Sequence, residues 1–134
     1  MTIRVTRWVL SLAGAALIAW GAYRVMAVYG LYRAATDCSN EILNEAASSD
    51  GKLTATAFER NCGATVPFVR IVSVRATNAS FDGDAEKEYV FIVEGQPELQ
   101  VAWNGPDHLS VRFGGGGRVV RQALIWYGVT VAYD

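Results

Sequence analysis

The chain has 134 residues, of which 51% are hydrophobic, and a formal net charge of −1 at pH 7. That length holds one small folded domain beside any membrane segment. One histidine and two cysteines fall short of the four ligands of a structural zinc site, and a domain that is not basic argues against nucleic acid as a partner.

Arg4 and Arg7 precede an apolar run from Trp8 to Tyr23; Arg24 interrupts it, and it resumes from Val25 to Tyr32. A helix needs about 20 such residues to cross a bilayer, so residues 1–36 read as an N-terminal transmembrane anchor. A cleaved signal peptide is the alternative, since a basic start and an apolar core are its first two features. Its best cleavage site, Val25-Met26-Ala27, follows directly on Arg24, and apolar character continues through Val28, Tyr29 and Leu31. Ala35-Thr36-Asp37 before Cys38 is not a lipobox. Arg24 falls near the far interface, where its stem can snorkel to the headgroups; the other reading pairs it with a partner inside the membrane. Trp8, Tyr23, Tyr29 and Tyr32 flank the run as interfacial aromatics do. Gly14, Ala15, Ala16, Ala19, Gly21, Ala22 and Ala27 are small enough to admit a second helix, or belong to an ordinary lipid-facing helix.

The charges are segregated. Arg4, Arg7, Arg24 and Arg33 come before any acid, leaving eight bases against all thirteen acids from Asp37 onward, a net of −5. Basic flanks stay on the cytoplasmic side. The N-terminus is therefore expected inside and residues 37–134 outside, as an extracytoplasmic domain. Both cysteines, Cys38 and Cys62, fall in that part, and an even count outside the cytoplasm reads as a disulfide. A hairpin supports the pairing. Residues 41–47 and 52–60 look like strands joined at Ser48-Ser49-Asp50-Gly51, where Asp-Gly is a turn signal. If residue 48 faces residue 52, Cys38 falls opposite Cys62. Two free thiols or half of a metal site is the alternative.

Further strands are expected at 53–60, 69–76, 88–94, 99–103, 109–113 and 119–133, separated by turn residues. Leu99, Val101 and Trp103 share one face and Gln100 and Ala102 the other; after Asn104-Gly105-Pro106-Asp107, Leu109, Val111 and Phe113 repeat the alternation. Tyr89-Val90-Phe91-Ile92-Val93 is apolar on both faces and belongs inside a sheet. The last run alternates as Tyr127, Val129, Val131 and Tyr133, with a helical turn at 123–126 as an alternative. The fold class is mainly β: an N-terminal transmembrane helix, then a small antiparallel β-meander or sandwich with one disulfide.

Cys38-Ser39-Asn40-Glu41-Ile42-Leu43, Ser49-Asp50-Gly51-Lys52-Leu53 and Phe58-Glu59-Arg60-Asn61-Cys62-Gly63-Ala64-Thr65 carry a resemblance. They are similar to a pattern in short bacterial single-span membrane-anchored proteins of uncharacterised function, with a Ser-x-Asp-Gly-Lys turn before a strand ending in Cys-Gly-Ala-Thr. Val101-Ala102-Trp103 followed by His108-Leu109-Ser110-Val111 resembles the tryptophan-turn-strand ending of the same group. The proline common in such turns is replaced by Ser49. The resemblance covers residues 38–113 and implies a secreted β domain with a disulfide and no assigned activity. With it the location becomes a bacterial inner membrane, with a periplasmic domain.

Candidates for chemistry are few. His108 sits beside the Pro106-Asp107 turn with no evident nucleophile. Asp82-Gly83-Asp84-Ala85-Glu86 and Glu88 group carboxylates, but the spacing of a calcium loop is missing. Gly114 to Gly117 lacks the Gly-Lys-Ser/Thr of a phosphate loop. No catalytic residue, metal or cofactor is expected. Arginine and aromatic residues favour interfaces, so Arg24, Trp103, Arg112, Arg118, Arg121, Trp126 and Tyr127 are the candidate partner-binding residues. The expected partners are the bilayer and a protein in or at the membrane. The leading function is a non-enzymatic accessory subunit of a membrane complex. An immunity-type binder tethered to the inner membrane, and an ion-dependent sensor or enzyme, are the alternatives.

Overall fold

The computed structural model describes the backbone of residues 2–36 and 38–134 and the side chains of residues 13–33 and 38–134. These form two compact units, a helix and a β domain that begins at Cys38.

The helix, α1, runs over Thr2–Thr36. Its sequence has no proline and is rich in alanine and leucine, the best helix formers. Arg33 in the last turn complements the dipole. The stretch Ala13–Arg33 is long and apolar enough to cross a membrane, and none of it is buried against protein. A helix that is apolar on every side needs an apolar surrounding to be stable. The guanidinium of Arg24 lies 4.9 Å from the ring centre of Trp20, and that of Arg33 lies 5.5 Å from Tyr29. Both are i, i+4 pairs, the spacing that brings side chains together on one face.

The β domain contains β1 Ser39–Ala47, β2 Leu53–Asn61, β3 Val69–Ala76, a 3-10 turn at Glu86–Glu88, β4 Tyr89–Glu94, β5 Leu99–Trp103, β6 His108–Phe113, β7 Arg118–Gln122, β8 Ile125–Trp126 and β9 Val129–Tyr133. One sheet has the order β1-β2-β3-β4-β7 and the other β5-β6-β9-β8. Every pairing is antiparallel except β6 with β9. The two sheets form a sandwich. Ala55, Val72, Val90 and Val93 from the first meet Leu99, Val111 and Val131 from the second in one buried core, the interdigitation expected of stacked sheets.

A second, smaller cluster lies on the outer face of the first sheet. Phe58, Ile71 and Tyr89 are buried there, and Phe81 closes over them edge-on to Phe58 at 5.0 Å. This explains why β4 is apolar on both faces: Tyr89 and Ile92 serve the outer cluster, Phe91 and Val93 the inner. Opposite β3 the register skips Val90, so Val90 and Phe91 both enter the inner core.

The β1–β2 hairpin differs from the sequence-based expectation in one instructive way. Ser48 pairs with Leu53, not with residue 52: the Ser48 amide donates to the Leu53 carbonyl at 2.8 Å. The Ser48 hydroxyl accepts from the Leu53 amide at 3.0 Å and donates to Asp50 at 2.7 Å, which pins the turn. Leu43 is then left without a partner between Ile42↔Phe58 and Asn44↔Ala57. That bulge restores the register, so Ser39 faces Asn61, and Cys38 and Cys62 are joined by a disulfide with Cα atoms 4.1 Å apart.

The expected single strand at 119–133 is corrected. It forms three strands, β7 in one sheet and β8 and β9 in the other. Residue 127 begins the turn that separates β8 from β9, and Tyr127 takes a left-handed φ of 41° there. Tyr127 is therefore exposed rather than continuing the inward alternation of Val129 and Val131. No helical turn forms at 123–126, where β8 pairs with β9.

Candidate functional site

The expected partner-binding residues do not form one site. Trp103 is half-buried against the inner core, and its indole N–H donates to the Ala46 carbonyl at 2.9 Å, linking β5 to β1. It serves the sandwich. Arg112 is exposed on the outer face of β6, beside a shallow hollow lined with Glu98, Gln100 and Asp134. Arg24 belongs to α1.

Arg118, Arg121, Trp126 and Tyr127 lie along one side of the sandwich. β7 is the end strand of the first sheet and β8 that of the second, and only Ala123 and Leu124 separate them. Two sheet edges therefore come to one side. Arg121 reaches the Glu86 carbonyl at 3.4 Å, and the Trp126 indole donates to the Lys87 carbonyl at 3.1 Å, so both residues converge on the Glu86–Glu88 turn. Arg118 holds Glu94 through two parallel hydrogen bonds from Nε, at 2.9 Å, and Nη2. This pairing keeps the Glu94 carboxyl below the usual glutamate range. It fixes the start of β7 against β4.

Several apolar side chains of this segment are exposed. Val120, Leu124, Ile125 and Tyr127 are 53%, 66%, 72% and 84% exposed. Val120 is displaced by a bulge: Ile92 pairs with Arg121 and Val93 with Val119, leaving it unpaired. Bulges at sheet edges re-aim side chains and discourage further strand pairing. Ala123 turns inward, its amide donating to the Val90 carbonyl at 2.8 Å, while its neighbour Leu124 turns out. Trp126 is half-buried and props up Tyr127, their rings edge-on at 4.9 Å. Large apolar side chains exposed at a surface mark candidate interaction sites; the positive φ of Tyr127, and of Gly128 after it, meets the two-residue hairpin turn that joins β8 to β9.

Sequence reasoning named the arginines and aromatics of this face but missed Val120, Leu124 and Ile125. The available signal was the adjacent pairs Val119-Val120 and Leu124-Ile125. A strand with one buried face cannot bury both members of such a pair.

The remaining chemical candidates lie at the β5–β6 connection and in the acidic turn before β4. His108 and Asp107 form an exposed pair, Nδ1 to Oδ1 at 2.7 Å. In the acidic turn, Arg60 pairs with Asp84 at 2.6 Å and donates to the Gly83 carbonyl at 2.6 Å, which also accepts from the Tyr89 hydroxyl. The turn is thus folded down over Tyr89. Among the described residues no three histidine, cysteine or acidic side chains are placed to hold a metal ion. No family model, curated protein or solved structure matches this chain.

Proposed function

We propose that this protein is a membrane-anchored, non-enzymatic binding subunit, held in the bacterial inner membrane by α1, with its β domain in the periplasm engaging a protein partner of a larger membrane assembly. The observation that carries the reading is the exposed apolar side formed by Val120, Leu124, Ile125 and Tyr127. The membrane-length stretch of α1 supports the anchor. The disulfide and the basic N-terminal flank support an oxidising compartment outside the cytoplasm.

The test compares mild-detergent purification of the tagged full-length protein with that of a Leu124→Asp/Ile125→Asp variant. A stoichiometric membrane assembly that accompanies the first and is lost with the second supports the reading, provided both variants keep the same melting temperature. An assembly retained by both moves the contact to another surface. Recovery of the intact protein alone, under conditions that preserve known membrane complexes, overturns the accessory-subunit reading.

A further inference from the structure

We infer that Arg24 docks α1 onto a transmembrane helix of a different protein, one that carries a carboxylate opposite it. The inference rests on α1 being a membrane span and names a partner group for the assembly proposed above. A span takes about 20 helical residues, and the basic flank of Arg4 and Arg7 lies outside the hydrocarbon. Within Thr2–Thr36, stretches of about that length that begin after Arg7 run from 8–27 to 17–36. Arg24 lies inside every one of them, at least three residues from either end, or about 5 Å along the axis. Its place inside the span therefore does not depend on which residue marks the membrane edge.

The occupant follows from charge. Side chains on a helix tilt toward its N-terminus, and the Arg24 guanidinium follows this tilt to lie 4.9 Å from the ring centre of Trp20, one turn earlier. Residues 8–23 carry no charge, so the lean takes the cation into the apolar stretch and not out of it. The face of an indole offsets part of the cost of a cation in hydrocarbon but accepts none of its in-plane hydrogen bonds. No acid occurs before Asp37, so α1 cannot neutralise Arg24 itself, and a second copy would bring another arginine to the same depth. Lipid phosphates lie beyond the hydrocarbon. The anion that can meet the guanidinium at this depth is a carboxylate on a neighbouring helix, held through two parallel hydrogen bonds. The surface beside Arg24 admits such a helix. Arg24 heads a shallow groove lined by Val25, Val28, Tyr29 and Tyr32. At Gly21, one turn before it, an added Cβ would meet nothing within 4 Å, which leaves room for close helix approach.

The test places the photo-crosslinking residue benzoylphenylalanine at Val25 or Val28 of the full-length protein, in the membranes of the cells that make it. Illumination should give a protein adduct that mass spectrometry maps to an apolar, membrane-length helix containing Asp or Glu. Arg24→Leu should lower the adduct yield about tenfold. Leucine in place of the mapped acid should do the same, and exchanging the two charges between the partners should restore the yield. Resistance to carbonate extraction and an oxidised Cys38–Cys62 pair show that each variant is still inserted and folded. Release of the wild-type protein by carbonate removes the span, and the inference and the anchor with it. With the span retained, adducts to lipid alone, to a second copy or to a helix without an acid overturn the inference. Equal yields from the wild type and Arg24→Leu, or no rescue by the charge exchange, overturn it too. Those outcomes leave standing the separate contact read by Leu124→Asp/Ile125→Asp.

Discussion

Tyr133 does more than fill space. Its hydroxyl, on β9, donates to the Ala123 carbonyl at 2.6 Å and lies 3.2 Å from the Val90 carbonyl, so it bridges the second sheet to the first. Burial pushes its pKa up to about 12. An unfolded tyrosine ionises near pH 10, so between roughly 10 and 12 the unfolded state releases the proton first and stability falls as pH rises. Below pH 10 the contribution is complete. Tyr133→Phe should lower stability by about 1 kcal/mol at neutral pH, because the Ala123 carbonyl loses this donor while the Val90 carbonyl keeps the Ala123 amide, and should flatten the alkaline decline. Chemical denaturation at pH 7 and pH 11 checks both. Tyr127 makes the opposite case. Its φ of 41° is costly for a bulky side chain, while its ring is 84% exposed. Tyr127→Gly should leave the melting temperature unchanged or raise it, by relief of about 1 kcal/mol of strain, while weakening partner capture. A substitution that lowers stability and leaves capture intact would assign the residue to the fold alone.

At the level of elements, the four-glycine run between β6 and β7 resolves into unequal members. Gly117 lies so close to the chain that an added Cβ would stand 2.5 Å from the Glu94 carbonyl oxygen and 2.5 Å from Val93, whereas nothing lies within 4 Å of Gly115. Gly117→Ala should cost about 1–3 kcal/mol through overpacking. Gly115→Ala should be neutral or slightly stabilising, since it restricts only the unfolded chain. Paired melting curves separate the two. The hairpin at the other side of the first sheet is closed by the disulfide across a sequence separation of 24. Replacing both cysteines by serine should cost about 3 kcal/mol, read as an earlier denaturation midpoint with a steeper slope, since the unfolded chain without the cross-link exposes more surface. Much of this architecture is legible in the chain. Leu99 to Phe113 alternates cleanly because each of its strands buries one face only, and β4 is apolar from Tyr89 to Val93 because the sheet has a core on each side. Residues 118–133 are not legible in the same way. Local alternation persists there while the chain passes from one sheet to the other, and periodicity records which side a residue faces, not which sheet it has joined. The Leu43 bulge is hidden for a related reason: it offsets a one-residue difference in the turn, so the cysteines meet under either register.

For the whole molecule, compartment and stability are linked by the same two cysteines. The segment before Asp37 carries four arginines and no acid, and the remainder has a net charge of −5. The proposed orientation, with the N-terminus in the cytoplasm and the β domain in an oxidising compartment, follows from applying the positive-inside rule to this bias. A domain of this size leaves roughly a third of its unfolded-chain surface exposed and has little stability to spare without its cross-link. A reporter phosphatase that folds only outside the cytoplasm, fused after Asp134, should be active. Arg4→Glu/Arg7→Glu, which removes the basic flank ahead of the span while keeping Arg33 beyond it, should reduce that activity and increase the reduced fraction of Cys38 and Cys62. Thiol alkylation in intact cells reads the second quantity directly. Because the reduced domain lacks about 3 kcal/mol of cross-link stabilisation, the inverted molecules should also be degraded faster, and Cys38→Ser/Cys62→Ser in the normal orientation should reproduce that turnover without changing phosphatase activity per molecule. Equal turnover of the disulfide-free and wild-type proteins would show that orientation matters for partner access alone and not for the survival of the fold.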